Sequence, residues 1–196
     1  MTENAGDKAV SASDELLSFW FDEIGPAGWF NGGEAVDAAC RARFAGMWEQ
    51  ARAGALTGWS AAPRSGLALV ILLDQFPRNM FRGEARAFAT DGQARAIAKA
   101  MIANGRQAAL DPDGRQFVRL PLIHAETIAD QEQGVRNCLL LGASADYLLH
   151  ARAHREVIRG FGRFPFRNAA LGRQSTPAET AWLGKGGYAE ALRAVA

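Results

Sequence analysis

A chain of 196 residues, 48% of them hydrophobic, can bury one substantial core, and no shift in its composition marks a second domain. Its formal net charge of +1 gives it no general affinity for polyanions, so nucleic acid or a lipid surface would have to be held by a local basic patch. Met1 to Ser13 has neither a basic nor an apolar block, and the longest strongly apolar run, Leu67 to Leu73, falls far short of the ~20 residues a spanning helix needs; the sequence therefore predicts a soluble, cytoplasmic protein without a membrane partner.

Ser13 is a candidate N-cap for a helix whose stripe is Leu16, Leu17, Trp20, Phe21 and Ile24 and which Gly25-Pro26 closes. The aromatic loop Trp29-Phe30-Asn31-Gly32-Gly33 is expected to staple two helices together. Glu34 to Ala53 follows, with Cys40, Met47, Trp48 and Ala51 at helical intervals. Gly66 to Phe76 is apolar on every side, which predicts the most buried helix of the fold; Asp74 within it must be paired, and Arg78 or Arg82 are the natural partners. Thr90-Asp91-Gly92-Gln93 reads as a capping box opening a helix that ends at Asn104-Gly105.

Asp111-Pro112-Asp113-Gly114 is turn chemistry, and Pro121 is expected to kink or restart a helix carrying Leu122, Ile123, His124, Glu126, Ile128 and Asp130. A further segment through Val135, Cys138 and Leu141 ends at Gly142. Ser144 caps the next helix, with Tyr147, Ala151, His154, Ile158 and Phe161 on its apolar face and arginines opposite. Thr176-Pro177-Ala178-Glu179 starts a short helix through Trp182.

Seven or more helices without an alternating strand pattern predict an all-α domain over residues 13–184, with a polar tail at 1–12 and a tail or short helix at 185–196. The succession suits a tetratricopeptide-like right-handed array, although no strict 34-residue repeat can be counted. Cys40 and Cys138, both on apolar-periodic segments, are expected as buried free thiols.

Two near-identical segments, Gln75-Phe76-Pro77-Arg78-Asn79 and Arg163-Phe164-Pro165-Phe166-Arg167-Asn168, are expected to close helices and to project an Arg past a rigid Pro. The chemistry-bearing residues group around them. His150 and His154 stand i, i+4, a spacing usable by a metal with His124, Glu126 or Asp130 opposite, but satisfied core histidines are the better reading and no tightly bound zinc is expected. Glu126 and Asp130, read as i, i+4 on one helix, suggest a shared cation, and Arg suits that role better than a metal. Six arginines between Arg152 and Arg173 are either an anion site or a solvated face. No nucleotide loop, zinc-type cysteine spacing or nucleophile elbow occurs, so no cofactor is predicted.

Phe19-Trp20-Phe21, Trp29-Phe30, the run Leu72 to Gly83, Phe88-Ala89-Thr90-Asp91, Leu120-Pro121 with His124-Ala125-Glu126, Asp130-Gln131, and His154-Arg155 leading to Asn168 together resemble a bacterial family catalogued as domain of unknown function nine hundred twenty-four. The resemblance covers about residues 14 to 184 and implies an all-helical, tetratricopeptide-like fold with no established activity. The family tends to carry His-Ser-Glu at His124-Ala125-Glu126 and Phe-Pro-His-Arg-Asn at Phe164 to Asn168, so a mechanism needing that Ser or that His is in doubt for this chain.

Three functions follow from these residues. The first is a helical scaffold for a protein or peptide partner. The second is an enzyme or sensor for a small anionic molecule, a phosphate or carboxylate, held by Arg78, His124, Glu126, His154, Arg155 and Arg167, with Asp74, Asn79, Arg82, Asp130 and Asn168 as a supporting network. The third, nucleic-acid binding, is disfavoured by the small net charge and by aromatics that sit on predicted core faces.

Overall fold

Apolar periodicity of about 3.6 along almost the whole chain has one structural outcome: a computed structural model, which describes residues 11–30 and 32–196, contains helices and, among the described residues, no strand. Most of the polar tail expected at 1–12, and Asn31 of the aromatic loop, lie outside the described residues. In chain order the α-helices are α1 (Ala12–Ser18), α2 (Gly25–Trp29), α3 (Gly33–Arg52), α4 (Pro63–Asp74), α5 (Phe76–Met80), α6 (Asp91–Ala103), α7 (Pro112–Ile123), α8 (Ile128–Leu140), α9 (Ala145–Phe161), α10 (Pro177–Gly184) and α11 (Tyr188–Val195). The fold is all-α, and none of the described helices is long and apolar enough to cross a membrane.

Helix α4 is the centre. Gly66 through Asp74 are all buried, and α1, α3, α6 and α7 pack around it. Phe76, just beyond its end, meets the rings of Trp20, Phe44 and Phe19 at centroid distances of 5.4, 5.0 and 6.0 Å. Burying an aromatic or aliphatic side chain contributes about 1.5–3 kcal/mol, so this layer dominates the stability of the N-terminal two-thirds. A smaller cluster of Val157, Ile158, Phe164 and Ala191 fixes α11 against α9. Cys40 and Cys138 are free and buried in the main core.

Several local expectations are corrected. Ser11, not Ser13, caps α1, because its hydroxyl accepts from the Asp14 amide at 3.1 Å. Gly25-Pro26 does close the first helical segment, which ends at Ile24 with Gly25 at φ 64°, open to glycine at no steric cost, and Pro26 then sits in the first turn of α2. Thr90 precedes α6 but caps nothing; its hydroxyl donates to the Leu73 carbonyl at 2.5 Å and accepts from Trp48 Nε1 at 3.1 Å, tying α3, α4 and α6 together. Asp111 is the N-cap of α7 and Pro112 its first residue, so Pro121 falls inside that helix near its end and starts no new one.

The first Phe-Pro segment differs as well. Gln75 interrupts the helix and Phe76-Pro77 begins the short α5, with proline in the first turn where its missing N–H costs nothing. The second, Pro165–Arg167, forms a single 3-10 turn.

Candidate functional site

The break between α4 and α5 determines the geometry of the site. It folds Arg78 back over the end of α4, where one guanidinium nitrogen donates to the backbone carbonyl of Asp74 and another lies 3.5 Å from its carboxylate. The same guanidinium grips Asp91, the first residue of α6, with two bonds of 2.9 and 3.0 Å. An anion at a helix N-terminus is favoured by the dipole, so Asp91 is well placed to be the second half of this bidentate pair.

Arg167 approaches Asp91 from the other side, with Nη1 at 3.4 Å. Its guanidinium is sandwiched over Phe88 and Phe164, 4.7 and 4.4 Å from the ring centroids, and Arg78 faces the same Phe88 ring at 5.7 Å. The two Phe-Pro segments thus meet over one carboxylate and one ring. Arg167 is buried, and its Nε finds no partner among the described residues. Burial and the nearby Arg78 charge push its pKa down to about 10, which leaves it charged at neutral pH.

His124 stands where α7 ends. The chain turns there because Gln131 of α8, fully buried, donates from its amide to the carbonyls of Ile123 and Ala125, both at 2.7 Å, satisfying acceptors that the helix end leaves open. Gly134 lets α8 come this close: a Cβ there would sit 2.6 Å from Ile123 Cγ2. In this position His124 Nδ1 lies 2.9 and 3.0 Å from the two oxygens of Asp74. A carboxylate only accepts, so Nδ1 carries the proton and donates, and Nε2 keeps its lone pair. The Gln75 amide also donates to Asp74.

Burial would raise the pKa of Asp74, but Arg78 and His124 outweigh it and hold the carboxyl well below the usual range. Burial, opposed by Asp74 and reinforced by Arg78, holds His124 below the usual histidine value. His124 is therefore a neutral base backed by an ionised carboxylate.

His124 opens on a pocket of about 470 Å³ between α7, α9 and the start of α11. All three histidines and both tyrosines of the chain line it: His124, His150, His154, Tyr147 and Tyr188. Phe30, Leu120 and Ile123 supply apolar wall, Gln116, Ser144 and Asp146 polar wall, and none of the described lining residues is Arg or Lys. His154 is 5.9 Å from His124 between ring centroids. Its Nδ1 donates to the His150 carbonyl at 2.8 Å, so its Nε2 also carries a lone pair. The Tyr188 hydroxyl bridges the other two rings, 2.9 Å from His154 Nδ1 and 2.8 Å from His150 Nδ1. Burial, with the neighbouring His124, pushes His154 down to about 3.

Of the residues the sequence singles out for ligand binding, His124 and His154 share this pocket, and Arg78 and Arg167 stand behind it, engaged with Asp74 and Asp91. Arg155 points elsewhere, 3.4 Å from both Glu132 and Glu156. Glu126 and Asp130 do not share a helix, since the chain breaks between α7 and α8, and they do not share a cation. Glu126 accepts from Arg173 at 2.6 and 3.0 Å and from the Phe164 amide at 2.8 Å, whereas Asp130 pairs with Lys99 and, at 3.5 Å, with Arg95. Asn168 accepts from Arg173 at 2.9 Å and so belongs with Glu126. Arg82 pairs with Asp37, not Asp74, at 2.8 and 2.9 Å, and Asn79 stands beside it. Among the described residues no group of three or more His, Cys, Asp or Glu is placed to hold a metal ion.

The sequence gives no sign of Tyr188, which falls in the segment read as a tail or short helix, and it assigns Tyr147 only to an apolar face. Both become visible only when α9 and α11 pack together.

Fold and pocket define an all-helical protein whose histidines gather at one cavity of about 470 Å³. The chain belongs to the family described as Bacterial protein of unknown function (DUF924), which matches residues 16–187. It is similar to the solved structure of a protein of unknown function from Agrobacterium tumefaciens, at 41% identity and a TM-score of 0.83, over 89% of this chain and 97% of that one. No curated protein matches it.

Two outcomes follow from the charges. Arg78→Ala leaves Asp74 buried without its guanidinium and should cost roughly 3–5 kcal/mol in urea unfolding, whereas Arg82→Ala, removing a more exposed pair, should cost under about 1 kcal/mol; equal losses would contradict the assignment. Because the folded state keeps His154 neutral while the unfolded chain protonates it near pH 6.5, stability should fall as the pH drops from about 6.5 to 5. His154→Gln should remove up to about 1.4 kcal/mol per pH unit of that slope, read from denaturant midpoints across the range; an unchanged slope would show His154 protonated in the fold.

Proposed function

We propose that the protein is an enzyme acting on a small molecule, with His124 as general base and Asp74 as the group that orients and charge-stabilises it. One observation carries this reading: the Asp74–His124 pair opens onto a cavity of about 470 Å³ in which the other two histidines and both tyrosines of the chain also converge. Small-molecule sites span roughly 300–1,000 Å³, apolar in part with a few convergent polar groups, and this cavity has that size and mixture. His124 Nε2 would take a proton from a ligand hydroxyl or from water while Nδ1–H stays on Asp74, whose negative charge stabilises the imidazolium formed. His154 Nε2 offers a second acceptor across the cavity, and the hydroxyl of Tyr188 holds that ring in place.

A peptide-binding scaffold has less support, since a cavity of about 470 Å³ suits a small molecule better than an extended chain. We read the succession of antiparallel helix pairs such as α8 with α9 as tetratricopeptide-like, with the pocket formed where the last helices close on α7. The two unbridged buried thiols support a cytoplasmic location.

The protein, incubated with a bacterial metabolite extract, should deplete one or a few compounds measured by mass spectrometry, and His124→Ala should not. Identical profiles for the two proteins and for a blank would refute the assignment.

A further inference from the structure

Arg119 is a buried guanidinium that no carboxylate answers. It sits on α7 at 4% exposure, and its Nε donates to Gln107 Oε1 at 3.1 Å. Among the described residues its terminal nitrogens make no side-chain hydrogen bond or ion pair, and they are not among the fully buried orphan atoms, so they face open space and not packed protein. The other deeply buried charges all face an opposite one: Asp74 faces Arg78, Asp130 faces Lys99, Glu179 faces Arg163 and Arg167 faces Asp91. Burial pushes the pKa of Arg119 down; Tyr147 and Cys138 oppose this, and Arg115, one turn earlier on the same helix, adds to it.

The side chain of Arg119 lines a second cavity of about 180 Å³. Arg115 shares it and is likewise without a carboxylate, its guanidinium donating to the carbonyls of Leu110 and Ala108 at 2.8 and 3.0 Å. The cavity is also lined by the turn from Leu141 to Ser144 that opens α9, a helix of 17 residues whose positive dipole end favours an anion, the Tyr147 amide being already capped by the Ser144 hydroxyl. Asp113, the one acid in the wall, is exposed and pairs with neither arginine. Gln116 and Ser144 line both this cavity and the histidine pocket, so the two adjoin.

We infer that Arg119 and Arg115 form an anion subsite that takes the carboxylate or phosphate group of a small molecule whose remainder occupies the histidine pocket. The subsite stands on Arg119 alone; the continuation into the pocket rests on the function proposed above. An uncompensated buried charge is costly, and a long apolar side chain would fill the same space without that cost. A bound anion offsets it, and a planar guanidinium fork matches the paired oxygens of either group.

The test is thermal unfolding in a zwitterionic buffer with sodium phosphate, sodium acetate or sodium chloride at matched ionic strength. In the wild type, phosphate or acetate should raise Tm with the logarithm of its concentration beyond any effect of chloride. A response to phosphate alone assigns a phosphate ester, and to acetate alone a carboxylate. Arg119→Met should abolish the response while keeping a cooperative melt in chloride, whereas a merely structural arginine would leave the wild type itself without a response beyond chloride. If that variant does not fold, Arg115→Gln should weaken the apparent anion affinity about tenfold. No response beyond chloride in the wild type, or the same response in Arg119→Met or Arg115→Gln, overturns the subsite. His124→Ala should keep the anion response, so a response without His124-dependent depletion of any metabolite leaves the subsite standing and the proposed activity refuted.

Discussion

A carboxylate at the C-terminal end of a buried helix is disfavoured twice, by the loss of hydration and by the negative end of the helix dipole. Asp74 is in that position, the last residue of α4 and 1% exposed. It is tolerable only with its compensation complete: Arg78 from the next turn, the Gln75 amide and His124 from α7. Each of these constrains something further. Arg78, held at Asp74, reaches Asp91 and so fixes the start of α6; Asp91 receives Arg167 and thereby ties the second Phe-Pro turn to the first. One unfavourable charge thus organises contacts among four helices and a C-terminal turn.

The same arrangement sets the chemistry of His124. With two arginines behind it and little water around it, the imidazole is held neutral, and with Asp74 on Nδ1 its lone pair is left on Nε2. A more exposed histidine would be partly protonated near neutral pH and one without Asp74 would be free to change tautomer. Burial is the main cause that keeps this imidazole neutral and the arginines reinforce it; none of those at Asp74 and Asp91 lines the histidine pocket. The arginine–carboxylate network and the histidine pocket are thus separate places, which the sequence alone merges into one cluster of Arg, His and Glu.

What could be read in the sequence was what depends on local periodicity and on the cost of a misplaced charge. The apolar run around Val70 and Ile71 marks the central helix, and Asp74 on that run demands a partner that Arg78 supplies. What could not be read was where helices break. Leu122, Ile123, Ile128 and Val135 continue a helical pattern through His124 to Thr127, and the bonds from the Gln131 side chain to the carbonyls of Ile123 and Ala125, which periodicity does not show, hold the break after α7. Missing that break put Glu126 and Asp130 on one face and suggested a shared cation, although each has its own. Thr90 misled for a similar reason: its sequence suits a capping box, but Trp48 and the Leu73 carbonyl claim its hydroxyl. Arg119 carried no signal at all, because an arginine without a partner is recognised only when the space around it is known.

The neutrality and tautomer of His124 underlie the whole account, and ¹⁵N NMR of its imidazole reads both directly. The structure requires a neutral ring protonated at Nδ1 at pH 7, with its titration midpoint below the ordinary histidine value of about 6.5, and in Asp74→Asn the preference for that tautomer should be lost. An imidazolium at pH 7, or a neutral ring carrying its proton on Nε2, would contradict it.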